Sequence, residues 1–297
     1  MRYTLENDLL KIEIDSKGAE IKSAHDKKTG HEYMWQADPT FWARTSPILF
    51  PIVGSLNNET YRFDSKEYNM KSHGFARDTE FALVSRSDKD IWFEINDTDV
   101  TYEIYPFHFK LKVGYELEGK TLKVKWNVYN PGQDRDDENL YFSIGAHPAF
   151  NCPIHGEENK EGYRLYFGEG KTELHHHGNL TGTCTHEDIT LKLDNERAYI
   201  TKDFFDRSTY IIENKQLDTI AIEEPCGKRI VTVNFDTPLV AVWSPVKGKN
   251  APFICIEPWW GRADYNDYEG TLEEREYGNV LSKGAEFNNT YSITYGA

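Results

Sequence analysis

The amino-acid sequence predicts an all-β protein of many antiparallel strands in two packed sheets. Three observations carry this expectation. Several runs place apolar residues at every second position, the period of a half-buried strand. Two of these runs are joined by a turn whose residues agree with the hydrophobic register they impose. No segment sustains a helical period, and neither a repeat of about 20–50 residues nor a low-complexity tract interrupts the chain.

In chain order, Leu10, Ile12 and Ile14 alternate with Lys11, Glu13 and Asp15, and Ser16-Lys17-Gly18 turns the chain. A strand is expected at 91–95. Phe107, Phe109, Leu111, Val113, Tyr115 and Leu117 form one apolar face, and Leu122, Val124, Trp126 and Val128 form the next. Between them, Gly119-Lys120 puts glycine where a type II′ turn needs a positive φ. Pairing Glu118 with Thr121 then sets Leu117 opposite Leu122, so both apolar faces fall on one side. Residues 131–139 are polar and acidic but too few to link two domains. In the next run Leu140, Phe142, Ile144 and Ala146 point one way, while Tyr141, Ser143, Gly145 and His147 point the other. Pro148 cannot donate to a ladder and ends the run. Further strands are expected at 210–212, 230–235, 239–243 and 253–257, the last closed by Pro258. Residues 273–277, followed by Gly278, read as a short helix. One domain over residues 1–297 holds all of this, since β-sandwiches of about 200–250 residues routinely form one unit.

The net charge is −15, from 34 Lys and Arg against 49 Asp and Glu. That field repels phosphate backbones and anionic lipid, so neither a nucleic acid nor a membrane is expected as partner. A phosphorylated small molecule stays open, because a few local arginines override the global sign. Met1-Arg2-Tyr3-Thr4 brings no apolar signal region, and no stretch approaches about 18 consecutive apolar residues. Cys152, Cys184, Cys226 and Cys255 lie far apart, which suits free thiols in a reducing cytoplasm rather than a disulfide framework or zinc site. The signatures of nucleotide cradles, serine hydrolases and zinc proteases are missing.

Two residues carry the chemistry that remains. His147 ends its run behind the small residues Ser143 and Gly145, which leave space beside the imidazole for a ligand. Glu257 ends a strand face whose other members, Phe253 and Cys255, are apolar, and a desolvated carboxylate there is a stronger base. Trp259 and Trp260 can wall a sugar site; pairing of Glu257 with Arg262 is the structural alternative. His73 precedes Gly74 in a turn that presents the imidazole. Arg44 sits among aromatic residues and needs an acceptor, and Arg77 is a second fixed cation with Asp78 or Glu80 as its ordinary partner. Asp206 stands at the entrance to a strand. His175-His176-His177 lacks the spacing of a formed metal site and lies in what reads as an exposed turn, so no metal is expected.

In order, Pro-Ile-Leu-Phe-Pro-Ile-Val-Gly (47–54), His-Gly-Phe-Ala-Arg (73–77), Gly-Ala-His-Pro-Ala-Phe (145–150), Phe-Asp-Arg (205–207) and Ile-Glu-Pro-Trp-Trp-Gly (256–261) resemble motifs of the aldose 1-epimerase (galactose mutarotase-like) superfamily, in particular its LacX-like and hexose-6-phosphate mutarotase branches. The resemblance spans residues 5–294. It implies a β-supersandwich that interconverts the α and β anomers of an aldohexose without metal or organic cofactor. It further implies His147 as the acid on the ring oxygen, Glu257 as the base on the anomeric hydroxyl, and His73 and Asp206 as sugar-binding residues. Arg44 and Arg77 resemble arginines of the phosphosugar branch. Ser55 departs from the pattern, since many members carry a basic residue after Ile-Val-Gly. The partner implied is therefore a small sugar, free or phosphorylated, and a non-catalytic sugar-binding protein on the same scaffold is the competing reading.

Overall fold

Alternation along the strands sorts the side chains of this protein into two faces, and a computed structural model shows where each face goes. It describes residues 1–157, 159–180, 182–206, 209–245 and 250–296. Nearly all the regular structure is antiparallel β; the α-helix among the described residues is Asp99–Ile104, a single capped turn and a half. A nine-stranded sheet runs in the spatial order Arg197–Tyr199, Arg164–Tyr166, Thr219–Glu223, Arg229–Asn234, Glu286–Tyr295, Thr121–Tyr129, Lys110–Glu118, Asp90–Asn96 and Ala82–Arg86. An eight-stranded sheet contains Thr183–Lys192, Glu173–Leu180, Thr209–Ile212, Leu239–Trp243, Phe253–Trp260, Ile144–Ala146 and Ile48–Leu49, with Ala149–Asn151 also paired to Phe253–Trp260. No helix among the described residues is long and apolar enough to cross a membrane.

The expected hairpin forms in the expected register, Glu118 opposite Thr121 and Leu117 opposite Leu122, around Gly119 at φ +57°. Leu10, Ile12 and Ile14 are fully buried in strand Leu10–Asp15. Val113, Val124 and Ile293 of the larger sheet share one continuous core with Val240, Val242, Ile254 and Ile256 of the smaller. The opposite face of the smaller sheet carries two further clusters, one around Leu239, Ala241 and Trp259, the other around Phe253 and Cys255.

Three local expectations are corrected. The run 140–147 is two strands, Leu140–Phe142 and Ile144–Ala146, because the Ser143 amide leaves the ladder to donate to the Pro51 carbonyl at 2.7 Å. Pro258 does not close its strand, which continues to Trp260. The Ile256 amide points to the Pro148 carbonyl, and the Pro258 nitrogen, two residues on, faces the same side, where the neighbour changes from Ala149–Asn151 to Ile144–Ala146 and no ladder donor is needed. Residues 273–277 form successive turns instead of a helix. The Arg275 guanidinium is drawn into a buried pair with Asp264 at 2.7 Å, and Tyr277 takes φ +60°.

Because the core cluster runs without a break from Leu5 to Tyr295, the chain is expected to unfold in one cooperative transition. Denaturant melts followed by tryptophan fluorescence and by far-ultraviolet circular dichroism should coincide. Two separated transitions, or two protease-stable halves, would contradict it.

Candidate active site

His147 and Glu257 meet on the outer face of the eight-stranded sheet. Gly145 pairs with Trp259, and extending that antiparallel register by two residues brings His147 across from Glu257. Ile144 and Ala146 turn into the core, as do Ile254 and Ile256, so the residues between them turn outward together. His147 Nε2 stands 3.3 Å from Glu257 Oε2, with the Glu257 side chain 1% and the His147 side chain 9% exposed. Glu257 faces the methyl of Ala241 on its other side, and on the His147 side strands Ile144–Ala146 and Ala149–Asn151 pair with its own strand either side of the break. A cavity of about 300 Å³ opens onto the pair, lined also by His73, Arg77 and three tryptophans. That is the lower end of the usual range for small-ligand sites.

Packing fixes these side chains before any ligand arrives. The Trp42 ring stacks on the His147 imidazole at 4.7 Å and 26°, and Trp243 meets it edge-on at 5.4 Å. Trp42 is held from behind, its carbonyl accepting the Trp35 indole N–H at 2.8 Å. Its segment is anchored by a buried carboxylate, Glu20, which accepts the Thr45 and Ser46 amides at 2.8 Å each and pairs with Lys22. The space beside Gly145 belongs to the protein rather than to a ligand: a Cβ there would stand 2.7 Å from the Trp259 ring. His73 sits at φ +67°, and Gly74 follows because a Cβ would fall 2.3 Å from the Phe50 carbonyl. The Gly54 amide donates to His73 Nδ1 at 3.2 Å while the Gly54 carbonyl accepts the His73 amide at 2.9 Å. An accepting Nδ1 places the His73 proton on Nε2.

Burial sets the protonation of the pair. It pushes Glu257 well above the usual carboxylate range, against a smaller opposing pull from the Trp259 indole. His147 is pushed down to about 3 by burial, with Arg77 and Arg44 adding to it. Enclosure, reinforced by His147 and the same arginines, also lowers His73, which is neutral at physiological pH. Burial and Arg44 bring Arg77 down to about 10, so it stays charged. Cys255 precedes Glu257 on the same face, and its Sγ, a ring nitrogen of His147 and a Glu257 oxygen lie within 4.8 Å of one another.

The other predicted residues divide. Arg77 lines the cavity and donates to the Ser72 carbonyl at 2.5 Å. Arg44 lines a neighbouring cleft instead, with both Asp78 carboxylate oxygens at 3.0 and 3.2 Å. Asp206 lies in a third cavity, beside Lys160 and Phe205, because the turn at 203–206 closes on itself through the Asp206 amide and the Asp203 carbonyl. Arg207 of the same motif lies outside the described residues. Trp260 faces the core and Phe287, so only Trp259 of the two walls the site. Arg262 pairs with Glu213 at 2.7 Å and with Glu276, not with Glu257. The three consecutive histidines occupy strand Glu173–Leu180 rather than a turn: His175 faces Asp188, His177 faces Glu213, and His176 packs on Tyr210. Sequence reasoning missed Trp42 and Trp243 as walls, and Thr209 and Asn179 as lining residues. Trp243 had a legible signal, since it shares the outward parity of Ala241 in its strand; Trp42 lies in a loop and had none.

Fold and site together define a β-sandwich protein with a buried histidine–glutamate pair at a cavity of small-ligand size. The chain belongs to the aldose 1-epimerase family, whose model matches residues 1–290, and to its LacX-like branch. Protein LacX of Lactococcus lactis subsp. lactis is 30% identical over 93% of both chains. A galactose mutarotase related enzyme from Lactobacillus acidophilus is 33% identical with a TM-score of 0.92, covering 100% of this chain and 98% of that one. A galactose mutarotase-like protein from Lactobacillus casei is 30% identical with a TM-score of 0.90, over 99% of both.

The shifted pair gives stability a defined pH dependence. Folded, the pair holds one proton from about pH 3 up to the raised pKa of Glu257, whichever partner carries it. Unfolded, it holds two below pH 4.5, one up to pH 6.5 and none above. The pair therefore adds stability as pH rises from about 3 to 4.5, is neutral to 6.5, and costs stability above that. Glu257→Gln removes the carboxyl proton from this balance, so it should gain on the wild type from pH 4.5 upward, by at most about 1.4 kcal/mol per pH unit. Urea denaturation of both proteins at pH 5 and pH 8 measures the gain; an unchanged difference would contradict the burial of the carboxyl group.

Proposed function

We propose that the protein is an aldose 1-epimerase that interconverts the α and β anomers of an unphosphorylated aldohexose by acid–base ring opening. The observation that carries this reading is the buried His147–Glu257 pair, 3.3 Å apart on one wall of an aromatic-lined cavity. Opening a cyclic hemiacetal removes a proton from O1 and delivers one to the ring oxygen. Both oxygens sit on the same carbon, so an acid and a base a few ångströms apart serve both. Glu257 takes the O1 proton as His147 gives its own to the ring oxygen. The pair passes from charged to neutral with its proton count unchanged. Rotation about C1–C2 and the reverse transfers close the other anomer. Burial raises the ion pair relative to the neutral pair, which makes the carboxylate a stronger base and the imidazolium a stronger acid. His73, with its proton on Nε2, donates to a sugar oxygen, and the tryptophans cover the apolar faces of the ring. The four cysteines are unpaired, which fits a reducing, cytoplasmic setting.

Two observations favour a neutral sugar over a phosphate. Arg44 is neutralised by Asp78 outside the cavity, and His73 adds no charge. A hexose 6-phosphate is the second reading, carried by Arg77, whose Nε is buried without a hydrogen-bond partner. Nuclear magnetic resonance anomer exchange on free and 6-phosphorylated hexoses decides between them. Arg77→Ala should weaken both substrates alike; a selective loss for the phosphosugar would establish the second reading.

The roles of the pair are tested by His147→Asn and Glu257→Gln. Each should keep the fold and sugar binding while lowering kcat by about 10²-fold or more, and the double variant should be little worse than the weaker single one. Near-normal turnover in either variant would remove its residue from the mechanism. A wild type that binds sugar without accelerating anomer exchange would make the protein a binding module.

A further inference from the structure

We infer that the cluster of His147, Glu257 and Cys255 binds a zinc-class divalent cation, and that the ion inhibits the protein. The inhibition rests on the acid–base roles proposed above; the binding does not. All three residues are buried and carry the imidazole, carboxylate and thiol donors that such an ion prefers. His147 Nε2 and Glu257 Oε2 are already 3.3 Å apart. Two ligands at about 2.0–2.1 Å on the corners of a tetrahedron stand about 3.4 Å from each other, so one edge of a zinc site is preformed. The Cys255 Sγ lies within 4.8 Å of a ring nitrogen of His147 and of a Glu257 oxygen, so it has little more than about an ångström to close, given a Zn–S bond of about 2.3 Å. Glu257 Oε2 is buried without a hydrogen-bond partner, a deficit that an ion would remove. The cavity supplies the fourth position, for water or a sugar hydroxyl.

Charge favours the same occupant. On binding, the Cys255 thiol gives up its proton to solvent, as does the His147–Glu257 pair. A divalent ion with one thiolate, one carboxylate and a neutral imidazole leaves the buried cluster with no net charge. No electron is transferred. The bound ion occupies the base oxygen and the acid nitrogen together, so neither proton transfer can proceed. The consecutive histidines offer no comparable set, because His175 and His177 are engaged by separate carboxylates and His176 faces the other way.

Cobalt(II) is the direct probe, because its absorption reports thiolate ligation independently of turnover. The measurement is made in a Cys226→Ser background, which removes the exposed thiol. One equivalent of cobalt should bind with a sulfur-to-metal charge-transfer band and tetrahedral visible bands, and one equivalent of zinc should displace it. Cys255→Ala should abolish the charge-transfer band, weaken zinc binding by at least about tenfold, and leave metal-free kcat within about twofold. Cys255→Ser, closer in size, should lose the band in the same way if the alanine variant folds poorly. His147→Asn should weaken the same site. Cobalt binding without a charge-transfer band, or a band that survives both Cys255 variants, would overturn the site. Stoichiometric zinc at Cys255 that leaves anomer exchange intact would confirm the site and overturn the inhibition, and with it the assignment of His147 and Glu257 as the proton-transfer groups.

Discussion

One carboxyl group and one imidazole, withdrawn together from water with a single proton between them, set the terms for the rest of the site. Either group alone, charged and buried, is costly; a buried ion pair recovers that cost only with good geometry. Held neutral, the two groups escape most of that penalty. The sheet makes this possible because it excludes water on every side but one. Strand Leu239–Trp243 flanks Glu257 on one edge and His147 on the other, the sandwich core lies beneath it, and Trp42 and Trp243 close over His147. Among the described residues, the pair opens outward through the cavity.

The constraint propagates through strand parity. Val240, Val242, Ile254 and Ile256 fill the sandwich, and their neighbours in sequence build the site on the reverse face. A slip of one residue in strand Phe253–Trp260 would bury the outward set in the sandwich and expose the inward one. The core therefore enforces the register that brings Glu257 beneath His147. The step from Ala149–Asn151 to Ile144–Ala146 along the same strand leaves His147 and Pro148 at the break, where the imidazole is freed from ladder geometry but still held by stacking. Glu20 extends the control to the Trp42 segment by satisfying two amides that would otherwise be orphaned.

The sequence reveals most of this wherever a local rule and a tertiary one coincide. Alternation identified the strands, and the Gly119-Lys120 hairpin showed its register because turn chemistry and burial agree there. His147 and Glu257 were legible for a related reason: a polar residue closing an apolar strand face is conspicuous against its period. Trp260 misled because it adjoins Trp259, and adjacent residues in a strand face opposite ways. Pro258 misled because a proline stops a strand only where its missing donor is needed, which depends on the partner strand. The turns at 273–277 were hidden because a single long-range pair, Arg275 with Asp264, outweighs a weak helical preference. Trp42 and Arg44 are placed by loop contacts that no periodicity reports.

The arginines show how local pairing governs charge in a molecule of net charge −15. Arg44 is close enough to lower Arg77's hold on its proton, yet Asp78 takes up Arg44 with two oxygens. Arg77 is left between the two clefts, one donor spent on the Ser72 carbonyl and its Nε buried at the cavity. Its field also bears on the pair, since a nearby cation disfavours the imidazolium at His147. The same charge would stabilise oxygen as it gains negative character during ring opening. In the mechanism proposed above, such a cation raises the energy of the charged acid before the step and lowers that of the oxygen receiving its proton. Arg77 itself has Asp78 at 3.9 Å, and a second arginine in the cavity would push His147 further from its protonated form. Asp78, by pairing with Arg44 outside the cavity, limits the positive charge that faces His147.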